Sequence, residues 1–245
     1  KIVFIEFLAE TYLHLLADIS SIYEFKKQIE LHSQKIEQHF GQKPKAFRNT
    51  EMIYSDNIGK TVADLGYELM LTEGAKHILA WKSPNYLYFN PINKKLKLLL
   101  RNYELSDDIA FRFSNKAWEN WPLTAEKFAG WLNSITDNEE ILNLFMDYET
   151  FGEHQWKETG IFEFLKALPS QVFEKTKFKF KTVSEAAKVH QPKAVLNVPF
   201  EISWADAERD LTAWLGNELQ KEAFGKLYEM AEQVEQCENP AIKKD

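Results

Sequence analysis

A single cysteine, Cys237, stands in the 245 residues. It excludes an internal disulfide and any cysteine-built metal site. Long basic runs are missing as well, and the formal net charge is −7, which argues against a nucleic-acid surface. Lys177, Lys179 and Lys181 alternate with Phe178 and Phe180 and read as the solvated face of a strand. No apolar run is long enough to span a bilayer, and no signal peptide is visible. No membrane partner and a cytoplasmic location are therefore expected. Low-complexity linkers and fixed-period repeats are absent too.

Hydrophobic residues make up 44% of the chain and charged residues 27%, an ordinary globular composition. The length suits one large domain, since single α/β barrels run to about 250 residues. We assign residues 1–238 to that domain and 239–245 to a frayed tail. Seven tryptophans are present. Most belong in a core, but aromatic faces also stack on the apolar faces of sugar rings.

The chain is organised around FMDYETFGEH, Phe145 to His154. The apolar run Ile141–Met146 reads as a buried strand. Asp147 and Glu149 follow two apart, facing one side of a continuing strand. Gly152 lets the backbone turn, and His154 can titrate near neutral pH. Acidic residues in this setting are equally often a solvated loop or a helix cap.

Other strands end in a similar way. Ile2–Phe7 reads as a strand leading to Glu10, and Glu10 as the acidic opening of a helix over Thr11–Ala17. Ser21–Phe40 is an amphipathic helix closed by Gly41 and Pro44, with His32 a packed core residue on its apolar face. Ala46 and Phe47 form a short strand followed by Arg48, Asn49, Thr50 and Glu51, so Glu51 sits in a position like that of Asp147. Asp56 or Asn57 caps a helix over Ile58–Leu65. Strands are expected at Tyr67–Leu71, Ser83–Phe89, Lys95–Leu100 and Phe178–Phe180. Helices are expected at Phe128–Ile135, Ile161–Ala167, Val183–Val189 and Leu219–Val234. Ser106 reads as a helix cap, with Asp107 and Asp108 left open between capping and hydroxyl binding. Strands alternating with helices imply parallel βα units, and acids at successive strand ends imply one active face.

The blocks FRNTEMIYSD, GYELMLTEG, RNYELSDDIAFRF, FMDYETFGEH and SWADAERDLTAWLGN resemble, in order, the α-amylase branch of glycoside hydrolase family 57. The resemblance implies a seven-stranded parallel β/α barrel and a retaining mechanism on α-1,4-glucans, without metal or cofactor. It makes Glu51 the nucleophile and Asp147 the general acid/base. Glu10 and Glu149 match substrate-lining positions, and Trp204 and Asp206 match the last block. Arg48 is the candidate to orient Glu51, and His154 completes the site. The family's opening His-Gln-Pro block is absent ahead of Glu10. His190-Gln191-Pro192 repeats its letters but lies after Asp147, and we read it as a chance loop match. An N-terminal βα unit is thus expected to be missing, with Ile2–Phe7 not the first barrel strand.

Retaining glycosidases need two carboxyls about 5–5.5 Å apart. A 4-α-glucanotransferase would use the same pair, and a non-catalytic glucan-binding relative would keep the fold. A polysaccharide deacetylase needs a metal-binding histidine pair close in sequence, and the six histidines show none.

Overall fold

The computed structural model describes residues 5–135, 139–239 and 241. Its strands are β1 (Ala46–Arg48), β2 (Leu69–Glu73), β3 (Leu87–Phe89), β4 (Lys97–Arg101) and β5 (Ala194–Val195). They form one sheet in the order β1-β2-β4-β3-β5. β1, β2 and β4 pair in parallel, whereas β3 runs antiparallel to β4. The sheet is therefore mixed, with five strands among the described residues, where an all-parallel sheet from an N-terminally incomplete barrel was expected. The antiparallel step follows from the tight connection Asn90–Leu96, where Asn90 Oδ1 caps the backbone N–H groups of Ile92 and Asn93. A hairpin that short can only reverse the strand.

The helices are α1 (Ala17–Ser20), α2 (Ile22–Phe40), α3 (Asp56–Asp64), α4 (Lys76–Leu79) and α5 (Tyr103–Ala110). They continue as α6 (Ala125–Ser134), α7 (Ile161–Lys175), α8 (Val183–Val189), α9 (Thr212–Leu215) and α10 (Glu218–Gln236). Most begin at a side-chain cap: Ser21 on α2, Ser55 on α3, Thr124 on α6, Thr182 on α8 and Asn217 on α10. Gly41 closes α2 at φ 64°, the left-handed conformation glycine favours. The start of α5 differs from expectation. Asn102 is its cap, and Ser106 lies one turn inside, bonding back to the Asn102 carbonyl.

Period-two alternation sends the strands' side chains into two cores. Met70 of β2 with Leu98 and Leu100 of β4 faces Phe25, Ile29, Phe47 and Val62. Leu69, Leu71 and Leu99 face the other way, toward Ile141 and Ala187. All of β2 is buried, as befits a strand covered on both faces. A third core joins α5, α6 and α7 through Ile109, Phe128, Leu132, Phe164 and Leu168.

Four segments expected to be strands or helix are irregular where described. Residues 141–146 form no strand and pair in no ladder. Their backbone bonds go instead to single groups: Ile141 N–H to the Asn85 carbonyl, and Asn102 N–H to the Asn143 carbonyl. Phe178–Phe180 is likewise no strand, and 11–17 is not a helix before Ala17. There the Tyr12 and Leu13 N–H groups bond to Gln28. Of Ile2–Phe7, residues 2–4 lie outside the described residues and 5–7 form no strand. Ala9 nonetheless bridges Phe47 in parallel, on the outer side of β1. Of the expected tail, 240 and 242–245 lie outside the described residues. Among the described residues no helix is long and apolar enough to cross a membrane.

Candidate active site

Parallel register brings charged residues together at the C-terminal ends of β1, β2 and β4. Glu73 pairs with Arg101 across β2 and β4, and Arg48 ends β1. The Arg101 guanidinium reaches Glu73 Oε2 at 3.0 Å and Asp107 Oδ1 at 2.5 Å. Arg209 bonds Asp107 Oδ2 at 2.8 Å and lies 3.5 Å from Glu73 Oε2. Two buried carboxylates are thus matched by two guanidiniums, which burial requires. Burial raises the Glu73 pKa, and Arg101 and then Arg209 pull it back. Glu73 also accepts the Gly74 N–H at 2.7 Å. A Cβ at Gly74 would stand 2.3 Å from the Arg101 carbonyl oxygen, so only glycine fits there.

This network touches both segments that the motif analysis singled out. Arg101 Nε donates to the Phe145 carbonyl at 2.7 Å, two residues before Asp147. Arg209 Nη1 donates to the Trp204 carbonyl. Trp204 in turn donates its indole N–H to Glu51 Oε2 at 2.9 Å. His14 Nε2 contacts Glu51 Oε1 at 2.6 Å.

Glu51 sits in a short 3-10 turn, Thr50–Met52, with φ 55° and ψ 22°. Met52 is also left-handed at φ 54°. Each such residue costs about 1–2 kcal/mol without glycine. Fixed bonds hold the turn: the Glu51 carbonyl accepts from the Trp204 N–H at 3.2 Å and from Ser203 Oγ at 3.0 Å. Strain maintained in this way is common where a side chain must be aimed.

Asp147 is extended and precedes the 3-10 turn Tyr148–Thr150 that carries Glu149. The two acids are therefore not on a continuing strand. Burial raises the Asp147 pKa, and the charges of Glu149 and Glu51 add to it; Arg48 and His154 oppose them.

A cavity of about 620 Å³ opens here, lined by Asp147, His154, Trp204 and Asp206 together with Tyr103 and Arg112. Four of the expected site residues thus line one cavity. Glu51, Glu10, Arg48 and Glu149 do not line it. Glu51 joins through Trp204, and Glu149 through its charge on Asp147. Glu10 binds Arg48 at 2.9 Å, and the Arg48 guanidinium lies 4.7 Å over the Trp204 ring. Arg48 thus orients Glu10 and Trp204, while Glu51 is held by Trp204 and His14. The Glu10 N–H donates to His32 Nδ1 at 3.0 Å, so His32 also supports this loop. Burial lowers the His32 pKa.

His14, Glu73, Arg101 and Arg209 did not emerge from sequence reasoning. Arg101 had a signal, as a cation ending the apolar run KLKLLL. The others are distant in sequence from what they contact. Among the described residues no group of three or more His, Cys, Asp or Glu could hold a metal ion.

Charged residues thus converge at the ends of the parallel strands of a mixed α/β fold, and comparison with known proteins gives the family. Residues 4–199 match the model of glycosyl hydrolase family 57, and the chain belongs to that family. It is 47% identical over 242 residues to the "Putative alpha-amylase" of Methanocaldococcus jannaschii, covering 98% of this chain and 51% of that protein. The chain thus spans about half the length of this curated relative. Solved structures share the fold. A family 57 branching enzyme from Thermococcus kodakaraensis superposes with a TM-score of 0.68 at 16% identity, over 94% of this chain and 54% of that one. The 4-alpha-glucanotransferase from Thermococcus litoralis gives 0.64 at 19% identity, over 81% and 30%. The alpha-amylase AmyC from Thermotoga maritima gives 0.62 at 15% identity, over 96% and 57%.

Proposed function

We propose that this chain carries the two-carboxylate site of a retaining, α-amylase-like glycoside hydrolase acting on α-1,4-glucans. The observation that supports it most is the contrast between the two acids. Glu51 is aimed by the Trp204 indole N–H and by His14. Asp147 is pushed toward its protonated form by burial and by Glu149. A nucleophile must be ionised and fixed, and its partner must hold a proton to give.

In this reading Glu51 attacks the anomeric carbon as Asp147 protonates the departing glycosidic oxygen, leaving a glycosyl ester on Glu51. Asp147, now ionised, takes a proton from water. The hydroxide equivalent displaces Glu51 and restores both carboxyls with net retention. Glu10, Arg48, Glu149, His154, Trp204 and Asp206 bind the sugar chain around them. The sheet would belong to the seven-stranded β/α barrel of the family, and the Ala9 bridge outside β1 supports further pairing at that edge. Hydrolysis and 4-α-glucan transfer share the ester and differ only in the acceptor. Product analysis of the full-length protein with maltoheptaose separates them. Shorter sugars with equal reducing-end gain mean hydrolysis, and longer sugars without such gain mean transfer. No turnover by either route refutes the proposal.

A further inference from the structure

We infer that Trp121 and Trp156 form an outer subsite on which a glucan chain leaving the catalytic cavity stacks. The inference rests on the glucan reading above and deepens it by requiring a long substrate.

Trp156 is 66% exposed and Trp121 42% exposed. Both line a second cavity of about 330 Å³, together with Ser114, Lys116, His154 and Glu158. His154 also lines the catalytic cavity, so the two cavities meet at this residue. A chain bound across Asp147 therefore has a continuous route past His154 onto the two indoles.

The ledge is rigid. Gln155, next to Trp156, is buried and donates to the Ala110 carbonyl at 2.8 Å. The Trp156 carbonyl accepts from the Thr159 N–H at 3.0 Å and from its hydroxyl at 2.6 Å. Trp121 is tied to Trp118 by a backbone bond of 2.9 Å, and Lys127 holds the adjacent Asn120 carbonyl at 2.6 Å. A backbone held in this way limits the ordering cost of binding at the two indoles. Indole faces suit the apolar faces of sugar rings. The ammonium, carboxylate and hydroxyl of Lys116, Glu158 and Ser114 supply donors and acceptors for sugar hydroxyls.

The test uses the full-length polypeptide with Glu51→Gln, so that ligand is bound and not consumed. Calorimetry compares maltotriose with maltoheptaose in this parent and with Trp156→Ala, Trp121→Ala or Trp156→Phe added. Each alanine variant should weaken maltoheptaose binding by roughly tenfold, the tenfold corresponding to about 1.4 kcal/mol. Maltotriose binding should be unchanged, and phenylalanine should restore part of the loss. Equal maltoheptaose affinity in all variants overturns the inference. So does a proportional loss for both sugars, which would mark a structural role. Tryptophan-dependent maltoheptaose binding in a protein whose wild type turns over no glucan would keep the ledge and refute the hydrolase. A parent that binds neither sugar refutes both.

Discussion

The Trp204 indole N–H lies 2.9 Å from Glu51 Oε2, although 153 residues separate the two in sequence. That bond joins the last block of the motif series to the turn after β1, and it fixes the direction of the proposed nucleophile. Trp204→Phe keeps a ring beneath Arg48 but removes the donor. A hydrogen bond to a charged group is worth about 1.5–3 kcal/mol, so kcat should fall roughly ten- to hundredfold. Steady-state kinetics on maltoheptaose check this. An unchanged kcat would show that Glu51 needs no such restraint.

Glu149 raises the Asp147 pKa through its charge, second only to burial. A raised acid keeps its proton, and its activity, to higher pH. Glu149→Gln removes the negative charge and makes Asp147 easier to ionise. The alkaline limb of the pH profile of kcat/KM should therefore move to lower pH. A limb that stays in place or moves upward contradicts the assignment of Asp147 as the acid.

Asp18 predicts a stability effect away from the chemistry. Burial pushes its pKa from 3.8 to about 7, with Asn49 nearby offsetting part of the shift. Neither of its oxygens has a hydrogen-bond partner among the described residues. The folded protein holds this proton while the unfolded chain releases it. Stability is thus full below 3.8 and falls as pH rises to about 7. The loss is about 4 kcal/mol, an order-of-magnitude figure at 1.36 kcal/mol per pH unit. Asp18→Asn should flatten this slope and raise Tm at pH 8, measured by thermal unfolding across pH.

Arg101 neutralises Glu73 and Asp107 from within the sheet's end. Arg101→Leu strands buried negative charge and should cost about 3–5 kcal/mol. Adding Glu73→Gln to it should recover part of that loss in urea unfolding. Additive losses would mean that the pair is not coupled.

Local signals carried much of this fold. Ser21, the three- and four-residue apolar spacing and Gly41 delimit α2, and Thr182 with Glu185 delimits α8 as a capping box. Where the competing bonds are tertiary, local pattern misleads. Residues 141–146 have a strand's composition, yet their carbonyls and N–H groups meet Asn85, Asn102 and Arg101 in place of a ladder. Residues after Glu10 look helical, but Gln28 takes their N–H groups. The same holds at the site. Asp147 and Glu51 stand out as acids after apolar runs, because each motif is contiguous. The Arg209–Asp107 and Trp204–Glu51 contacts span 102 and 153 residues and leave no local trace.

The roles of the two acids are tested most directly by trapping the intermediate. In the full-length protein, Asp147→Asn slows breakdown of the glycosyl ester, because no base activates water. An activated aryl α-maltooligoside, which needs no protonation to leave, should still load the enzyme. Peptide mass spectrometry should then find the added sugar mass on the peptide containing Glu51, and added azide should release it as a glycosyl azide of α configuration. Label on Asp147 in the Glu51→Gln variant, with azide rescuing that variant instead, would contradict the assignment and reverse the two roles.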